Sequence, residues 1–407
     1  MRICILTIGT RGDVQPYIAL GLGLKAAGHE VVIATLDDFQ PLVETYMLRH
    51  HTLRGDFLKA AQETGGQKGM NNPIRLIGQY MEMAKDTLAD EWESVQNAEV
   101  FVYNPAAIGG YHIAEKLKIP SFAAFPAPLY SPTQEFPSPF LPFQNLGPFN
   151  KFSHRFFAKM GPTLYRKSIN EFRREALGLP PTTGEEMLHG RPVNKLYAYS
   201  EVVVPRPADW DASSVVTGYW FLDAPTEWQP EPALVKFLQA GPPPVYVGFG
   251  SMFMNGGAKK TETVIEALRL SGQRGVLSTG WGGLTAANDL EDTYFVDDVP
   301  HDWLFPQVSA VVHHGGAGTT GSALRAGKPT VVCPFVGDQT FWGRRVADLG
   351  VGPEPIPQRK LTAERLAEAT RVAVADEEMH RRAALLGESL RTENGVERAI
   401  AFIMNNV

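Results

Sequence analysis

The sequence predicts an α/β chain folded as two doubly wound, Rossmann-like domains facing a central cleft. Three observations carry that reading. Short apolar runs alternate with helical segments in two successive series, as parallel sheets require. A proline-rich break, Asp223 to Pro244, containing APTEWQPEP and GPPP, separates the series. Near residue 313 a strand runs through a glycine-rich turn into a helix, the construction of an anion site. At 407 residues the chain exceeds one typical domain and suits two of about 200 residues each. The boundaries drawn are 1–222, a linker 223–244, a second domain 245–385, and a terminal segment 386–407 crossing back to the first domain.

The first series opens with a strand from Arg2 to Ile8, a turn Gly9 to Asp13 and a helix from about Val14 to Ala27. Gly28-His29-Glu30 turns the chain into a strand from Val31 to Thr35. Further strands are predicted at Val100 to Tyr103, Ser121 to Phe125 and Lys195 to Tyr199, with helices at Pro73 to Ala98 and Ile108 to Leu117. Ala127 to Phe149 differs in kind: its prolines forbid a regular helix or central strand, yet it is too aromatic for a disordered linker. It reads as an ordered loop lining an apolar cleft. The linker holds a short helix at Ala233 to Leu238. The second series continues with strands Val245 to Gly248, Gly275 to Ser278, Tyr294 to Val296, Ala310 to Val312 and Pro329 to Pro334, with a helix at Thr261 to Leu270. The last helix spans roughly Glu377 to Asn405.

Composition bounds the function. Hydrophobic content of 44% and charged content of 20% fit an ordinary globular protein with ample core. A formal charge of -6 argues against a nucleic-acid partner, which demands a basic face. The two cysteines, Cys4 and Cys333, lie in apolar runs and read as small core residues of a reducing compartment. The start lacks a signal peptide and no apolar run reaches roughly 20 residues, so a cytoplasmic location is expected. His50-His51 lacks a partner at ligand spacing, and Asp37-Asp38 and Asp297-Asp298 read as loop-edge charges. The pairs Arg173-Arg174, Arg344-Arg345 and Arg381-Arg382 read as solvated helix faces.

Chemistry concentrates in VVHHGGAGTTGSALRAGKPTVVCPFVGDQ, Val311 to Gln339. His313 and His314 enter the turn Gly315-Gly316-Ala317-Gly318, and Thr319-Thr320 open a helix. Glycines admit a ligand to the backbone, free N–H groups and the helix dipole favour anions, and imidazoles add donors. A following strand ends at Gly337-Asp338-Gln339, where a carboxylate and an amide suit hydroxyl groups. Phosphate at one loop and polyol at the next suggest a nucleotide sugar. This segment, with LRAGKPTVVCPFVGDQTFWG, resembles the donor signature of glycosyltransferase family 1, of GT-B fold. It is most similar to the sterol and hydrophobic-aglycone glucosyltransferases, with antibiotic glycosyltransferases as near relatives.

The resemblance implies an acceptor-binding first domain and a nucleotide-sugar-binding second one. Asp13, in the loop after the first strand, stands where plant members carry a histidine and where the sterol and antibiotic branch carries aspartate. It becomes the general base, although an aspartate there also suits a helix N-cap. Thr10 and Arg11 are assigned to the donor phosphates or sugar. His313 aligns with the histidine that contacts the diphosphate; Gly315, Gly316, Gly318, Thr319 and Ser251 complete that site. Trp281 and Val299 are assigned to the nucleobase, and Asp338 and Gln339 to sugar hydroxyls. Gly321 replaces the glutamate that binds ribose in plant members, which leaves the ribose contacts open. Phe136, Phe140 and Phe143 are assigned to the acceptor.

The expected activity is inverting transfer of glucose from UDP-glucose to a hydrophobic hydroxylated acceptor, a sterol or terpenoid, with no metal and no cofactor beyond the UDP-sugar. The alternative within that chemistry is a natural-product enzyme acting on a macrolide, glycopeptide or flavonoid with a UDP- or dTDP-sugar. A dehydrogenase fails because Gly9 and Gly12 lack the G-x-G-x-x-G spacing. A non-catalytic nucleotide-sugar-binding protein is disfavoured by Asp13. The loop 127–149 allows a weak peripheral membrane contact, its near-absence of lysine and arginine excluding strong electrostatic docking.

Overall fold

The computed structural model describes residues 1–55, 73–182, 184, 187–250, 257–280 and 291–407. The first sheet joins β1 (Arg2–Leu6), β2 (Glu30–Leu36), β3 (Arg49–Leu53), β4 (Val100–Tyr103) and β5 (Ser121–Phe125), with β8 (Asn194–Tyr197) and β9 (Ser214–Val216). Its order is β3-β2-β1-β4-β5-β8-β9, all pairs parallel. A two-residue hairpin, β6 (Met187–Leu188) and β7 (Arg191–Pro192), stands apart. The second sheet is β10 (Val245–Gly248), β11 (Gly275–Ser278), β12 (Thr293–Val296), β13 (Ala310–His313) and β14 (Thr330–Val332), ordered β12-β11-β10-β13-β14 and parallel.

Both orders reverse once, between β1 and β4 and between β10 and β13. Ligands of doubly wound sheets bind at such a point, outside the carboxyl ends of the strands. Apolar residues explain the central strands: Val100, Phe101, Val102 and Tyr103 are all buried, as a strand covered on both faces must be. β3 was not expected. Its sequence RHHTL buries only Leu53 fully, because an edge strand needs one anchored position. His50 is occupied there by a hydrogen bond to the Thr35 carbonyl at 3.2 Å.

The helices of eight or more residues are α1 (Arg11–Ala26), α2 (Pro73–Ser94), α3 (Gly110–Leu117), α4 (Asn150–Phe172), α5 (Pro232–Gln239), α6 (Gly257–Ser271), α7 (Ala317–Arg325), α8 (Gln339–Asp348), α9 (Ala363–Ala375), α10 (Glu377–Thr392) and α11 (Gly395–Asn405). The terminal helix is therefore two helices, broken at Glu393-Asn394. α11 lies on the first domain, where Phe402 packs edge-on against Phe122 at 6.1 Å. A Cβ on Gly23 would overlap Val396 and Ile400, so helix α1 accepts α11 only with a glycine there.

Two arginine pairs depart from the expected solvated faces. Arg173 is buried, pairs with Glu115 at 2.6 Å and donates to the Pro180 carbonyl and His112 Nδ1. Burial of that charge is tolerable because every donor direction meets an acceptor. Arg345 donates twice to the Val203 carbonyl and Arg344 to the Pro142 carbonyl, so both bridge the two domains. Arg174 is exposed beside Glu175, and Arg381 and Arg382 are exposed and share Glu378.

Candidate active site

The loop after β1 is built around Asp13. Helix α1 starts at Arg11, earlier than expected, with Thr10 as N-cap and Asp13 at the third helical position. Asp13 is thus not the cap; it reaches back to it. Its Oδ2 accepts from the Thr10 N–H at 2.8 Å and the Thr10 hydroxyl at 3.0 Å. Among the described residues no hydrogen bond reaches Oδ1. Gly9 makes this possible: its φ is +144°, and a Cβ there would overlap the Asp13 carboxylate. Asn104, buried at the end of β4, donates to the Thr7 hydroxyl at 3.0 Å and the Ile8 carbonyl at 2.9 Å. The Thr7 hydroxyl in turn donates to the Asp13 carbonyl at 2.6 Å. Asn104 and Gly9 were missed from sequence, because their roles depend on the neighbouring strand and on a backbone angle.

Two assignments in this loop are corrected. Thr10 spends its N–H and hydroxyl on Asp13, so it orients that carboxylate instead of facing a phosphate. The Arg11 guanidinium pairs with Asp298 at 2.6 Å, linking the two domains at an exposed position. Asp297 likewise accepts from the Thr279 hydroxyl. Such an exposed ion pair contributes at most about 1 kcal/mol.

Across the cleft, β13 ends in His313, paired in register with Gly248 of β10. His313 is fully buried, and its Nδ1 accepts from the Gly315 N–H at 2.9 Å. That bond places the ring proton on Nε2, an atom that is buried without a partner among the described residues. Burial holds the imidazole neutral, its pKa well below the usual value, with His314 and His301 adding repulsion. The result is a neutral donor awaiting an acceptor. His314, against Gly250 and Gly316, is pushed down to about 4 by burial. Gly315 adopts φ +94°, and a side chain there would press on Val332 and the Gln339 carbonyl.

Helix α7 begins at Ala317, capped by Gly316, two residues before the expected Thr319. Gly318 and Thr319 therefore lie in its first turn, where N–H groups have no intrahelical acceptor. Space over Gly318 is open. Gly321 is buried one turn on, where a Cβ would lie 2.7 Å from the Tyr219 ring. A glutamate could not be housed there. Val299 is half-buried just beyond β12. Ser251 and Trp281 lie outside the described residues.

Asp338 caps α8 and is held by the Trp342 indole N–H, which donates to Oδ2 at 2.8 Å. Its pKa is pushed up to about 6, first by loss of solvent and further by the Asp13 carboxylate. The two acids thus sense each other across the cleft. Asp13 is itself raised by burial, which the Thr10 hydrogen bonds only partly oppose. Gln339 is partly committed: its Oε1 accepts from Phe335 N–H at 2.8 Å, leaving only its NH2 for a hydroxyl. A base with a raised pKa is ionised only above that pKa. With Asp13 as that base, turnover at saturating substrate should therefore fall with pH while still above the ordinary aspartate range. A profile flat down to the ordinary aspartate range would contradict this assignment.

The proline-rich loop 127–149 is ordered without regular structure beyond a final 3-10 turn, Gly147–Phe149. With α8 it encloses a cavity of about 350 Å³ lined by Phe136, Pro137, Leu141, Phe143, Phe341 and Arg344. Phe136 packs between Phe341 at 5.6 Å and His154 at 5.8 Å. Phe140 does not line the cavity. It turns to Phe157 of α4 at 5.3 Å, because the loop needs an anchor on its helix. Phe341 sits one turn beyond Asp338, so α8 runs from the carboxylate to the cavity, which its Arg344, Arg345 and Asp348 also line.

Residues 3–133 match the glycosyltransferase family 28 N-terminal domain, and residues 286–397 match the erythromycin biosynthesis protein CIII-like C-terminal domain. A sterol 3-beta-glucosyltransferase of Cryptococcus neoformans is 37% identical over 100% of this chain and 27% of its own length. One from Arabidopsis thaliana is 36% identical over 98% of this chain and 67% of its own. The chain thus spans about a quarter of the fungal relative's length. Among solved structures, the glycotransferase of kitacinnamycin superposes with a TM-score of 0.75 at 20% identity, covering 100% of this chain and 98% of that one. The spinosyn rhamnosyltransferase SpnG, in complex with its aglycone, gives a TM-score of 0.67 at 19% identity over 100% of both chains. These likenesses give the fold as GT-B, and the relatives matched along nearly the whole of this chain give the lineage. The chain belongs to the GT-B glycosyltransferase family that includes the sterol 3-beta-glucosyltransferases.

Proposed function

We propose that the chain transfers glucose from UDP-glucose to the hydroxyl of a bulky hydrophobic acceptor, a sterol or terpenoid, with inversion at the anomeric carbon. The observation that carries this reading is Asp13: a carboxylate with one oxygen pinned and one free, facing Asp338 across the cleft. Asp13 takes the proton of the acceptor hydroxyl. The acceptor oxygen then forms its bond to C1 of the glucose as the bond from C1 to the β-phosphate oxygen breaks. UDP leaves with the electron pair, held by His313 Nε2–H and the free N–H groups of Gly318 and Thr319. Asp338 and the Gln339 amide hold sugar hydroxyls.

The aromatic part of the cavity lining, Phe136, Phe143 and Phe341, supports the acceptor class, although Glu135, Arg344, Arg345 and Asp348 line it too. Burial of fused rings there is worth about 25 cal/mol per Å², and a volume near 350 Å³ falls at the low end of small-molecule pockets. Replacing Phe136 and Phe143 by alanine should raise the Michaelis constant for a sterol while leaving that for UDP-glucose nearly unchanged. Lost donor affinity, or unaltered sterol kinetics, would make the loop scaffold only.

His313→Ala should weaken UDP binding by about 1–3 kcal/mol, since a buried charge-assisted donor is removed. Unchanged affinity by calorimetry would assign His313 a structural role. The function is tested by UDP release with UDP-glucose against sterols, flavonoids and macrolides, each with and without EDTA. Sterol-dependent release insensitive to EDTA is expected. Release only with a macrolide or flavonoid would overturn the acceptor class, and loss restored by magnesium would overturn the metal-free step.

A further inference from the structure

A run of exposed apolar side chains lies along helix α4. Phe149, just before the helix, and Phe152, Phe156, Met160 and Leu164 along it are each between 44% and 65% exposed. Apart from the first step of three, they recur every four residues. At about 100° per residue this spacing forms a continuous outward stripe about 120° wide. The inward face is on the other side: His154, Ser168 and Ile169 are buried against the body of the domain, while Ser153, within the arc of the stripe, is covered by the loop through the Ser138 N–H. A helix this apolar on its solvent side has no reason to be so for folding, since outward phenylalanines add nothing to the core.

The charges beside the stripe say what covers it. Within α4 there are five basic residues, Lys151, Arg155, Lys159, Arg166 and Lys167, against the single acid Glu171. Lys151 is paired with Asp209 and Glu171 with Lys85. Arg155, Lys159 and Arg166 are exposed and share the strip adjoining Phe152, while Lys167 stands within the stripe. On a chain of net charge -6 this basic strip is a local reversal. Outward Phe, Met and Leu beside Lys and Arg suit the boundary between acyl chains and anionic headgroups. The stripe is also continuous with the cavity. Phe140 stacks on Phe157 of the same helix, and Phe143, exposed at one end, lines the cavity.

We infer that α4 is a docking surface for an anionic lipid bilayer, seating its phenylalanine stripe at the interface so that the acceptor cavity opens toward the membrane. The inference deepens the proposed acceptor class, on which its functional sense rests. It corrects the expectation that electrostatics are too weak: the loop 127–149 lacks basic residues, but the helix behind it supplies them.

The test is co-sedimentation of the full chain with phosphatidylcholine vesicles, with and without phosphatidylserine at about one lipid in three. Glucose transfer to a detergent-dispersed sterol is measured in parallel. The parent should bind the anionic vesicles and bind neutral ones far less. Phe152→Ser with Phe156→Ser should lower binding at least tenfold. Arg155→Glu, Lys159→Glu and Arg166→Glu together should abolish the preference for phosphatidylserine. Both variants should keep the parent's rate on dispersed sterol, which shows them folded. Absence of parental binding, or variants that bind as the parent does, would overturn the docking surface even if transfer is intact. So would a dimer in solution that the serine variant dissolves, because the stripe would then cover a second copy. Vesicle binding without sterol transfer would sink the acceptor class and leave the docking surface standing.

Discussion

Asp13→Asn should bind UDP as the parent does and turn over roughly 10²–10⁴-fold more slowly, the usual worth of a general base. Asparagine is close to isosteric and its carbonyl can still accept from Thr10, so the loop keeps its shape. What disappears is the capacity of Oδ1 to take a proton. The comparison needs only steady-state turnover and calorimetric titration with UDP. Turnover within a few-fold of the parent would remove Asp13 from the mechanism. Lost UDP affinity would instead mean that the carboxylate shapes the donor site.

Gly9→Ala should reproduce much of that loss without touching an ionisable group. At φ +144° an L side chain is strained, and its Cβ would overlap the carboxylate. The loop then has to move, or Asp13 has to swing away from Thr10. A misplacement of about 1 Å in a catalytic group can cost 10²-fold, so a fall in turnover approaching that size is expected. UDP affinity should hold, because the donor groups lie on the other sheet. Equal turnover in the alanine variant would show that the loop reseats freely and that the pinned geometry is not what the reaction uses.

The parts legible in the sequence are those governed by local pattern. Buried runs such as Val100 to Tyr103 and Ser121 to Phe125 announced central strands, and the glycine turn after His313 announced a helix N-terminus. Proline and aromatic content marked 127–149 as an ordered loop. Parts that depend on a distant partner were not legible. Nothing near Arg173 indicates Glu115, and nothing near Arg11 indicates Asp298. For the same reason Thr10 and Arg11 were assigned to a ligand when the protein itself occupies them. Helix α4 was missed because its apolar residues face outward, which is not the pattern of a core helix.

Site residues divide along the same line. Asp13 and His313 could be singled out because they follow strand ends, where ligands of such sheets bind, and because they match the family's motif. Asn104, Gly9, Phe341 and Trp342 act by supporting or lining, and their value appears only when neighbouring strands and helices are assembled. Gly321 is instructive in the opposite sense. Its departure from the plant pattern looked like a lost contact, and the Tyr219 ring shows it to be a packing requirement.

The most direct measurement is the configuration of the product. The enzyme is incubated with UDP-glucose and a sterol, and the isolated glycoside is examined by proton nuclear magnetic resonance at the anomeric position. A single carboxylate that activates the acceptor for in-line attack on an α-linked donor predicts one product, the sterol β-glucoside, with the large coupling of a diaxial anomeric proton. An α-glucoside, or UDP released with glucose and no sterol conjugate, would contradict it.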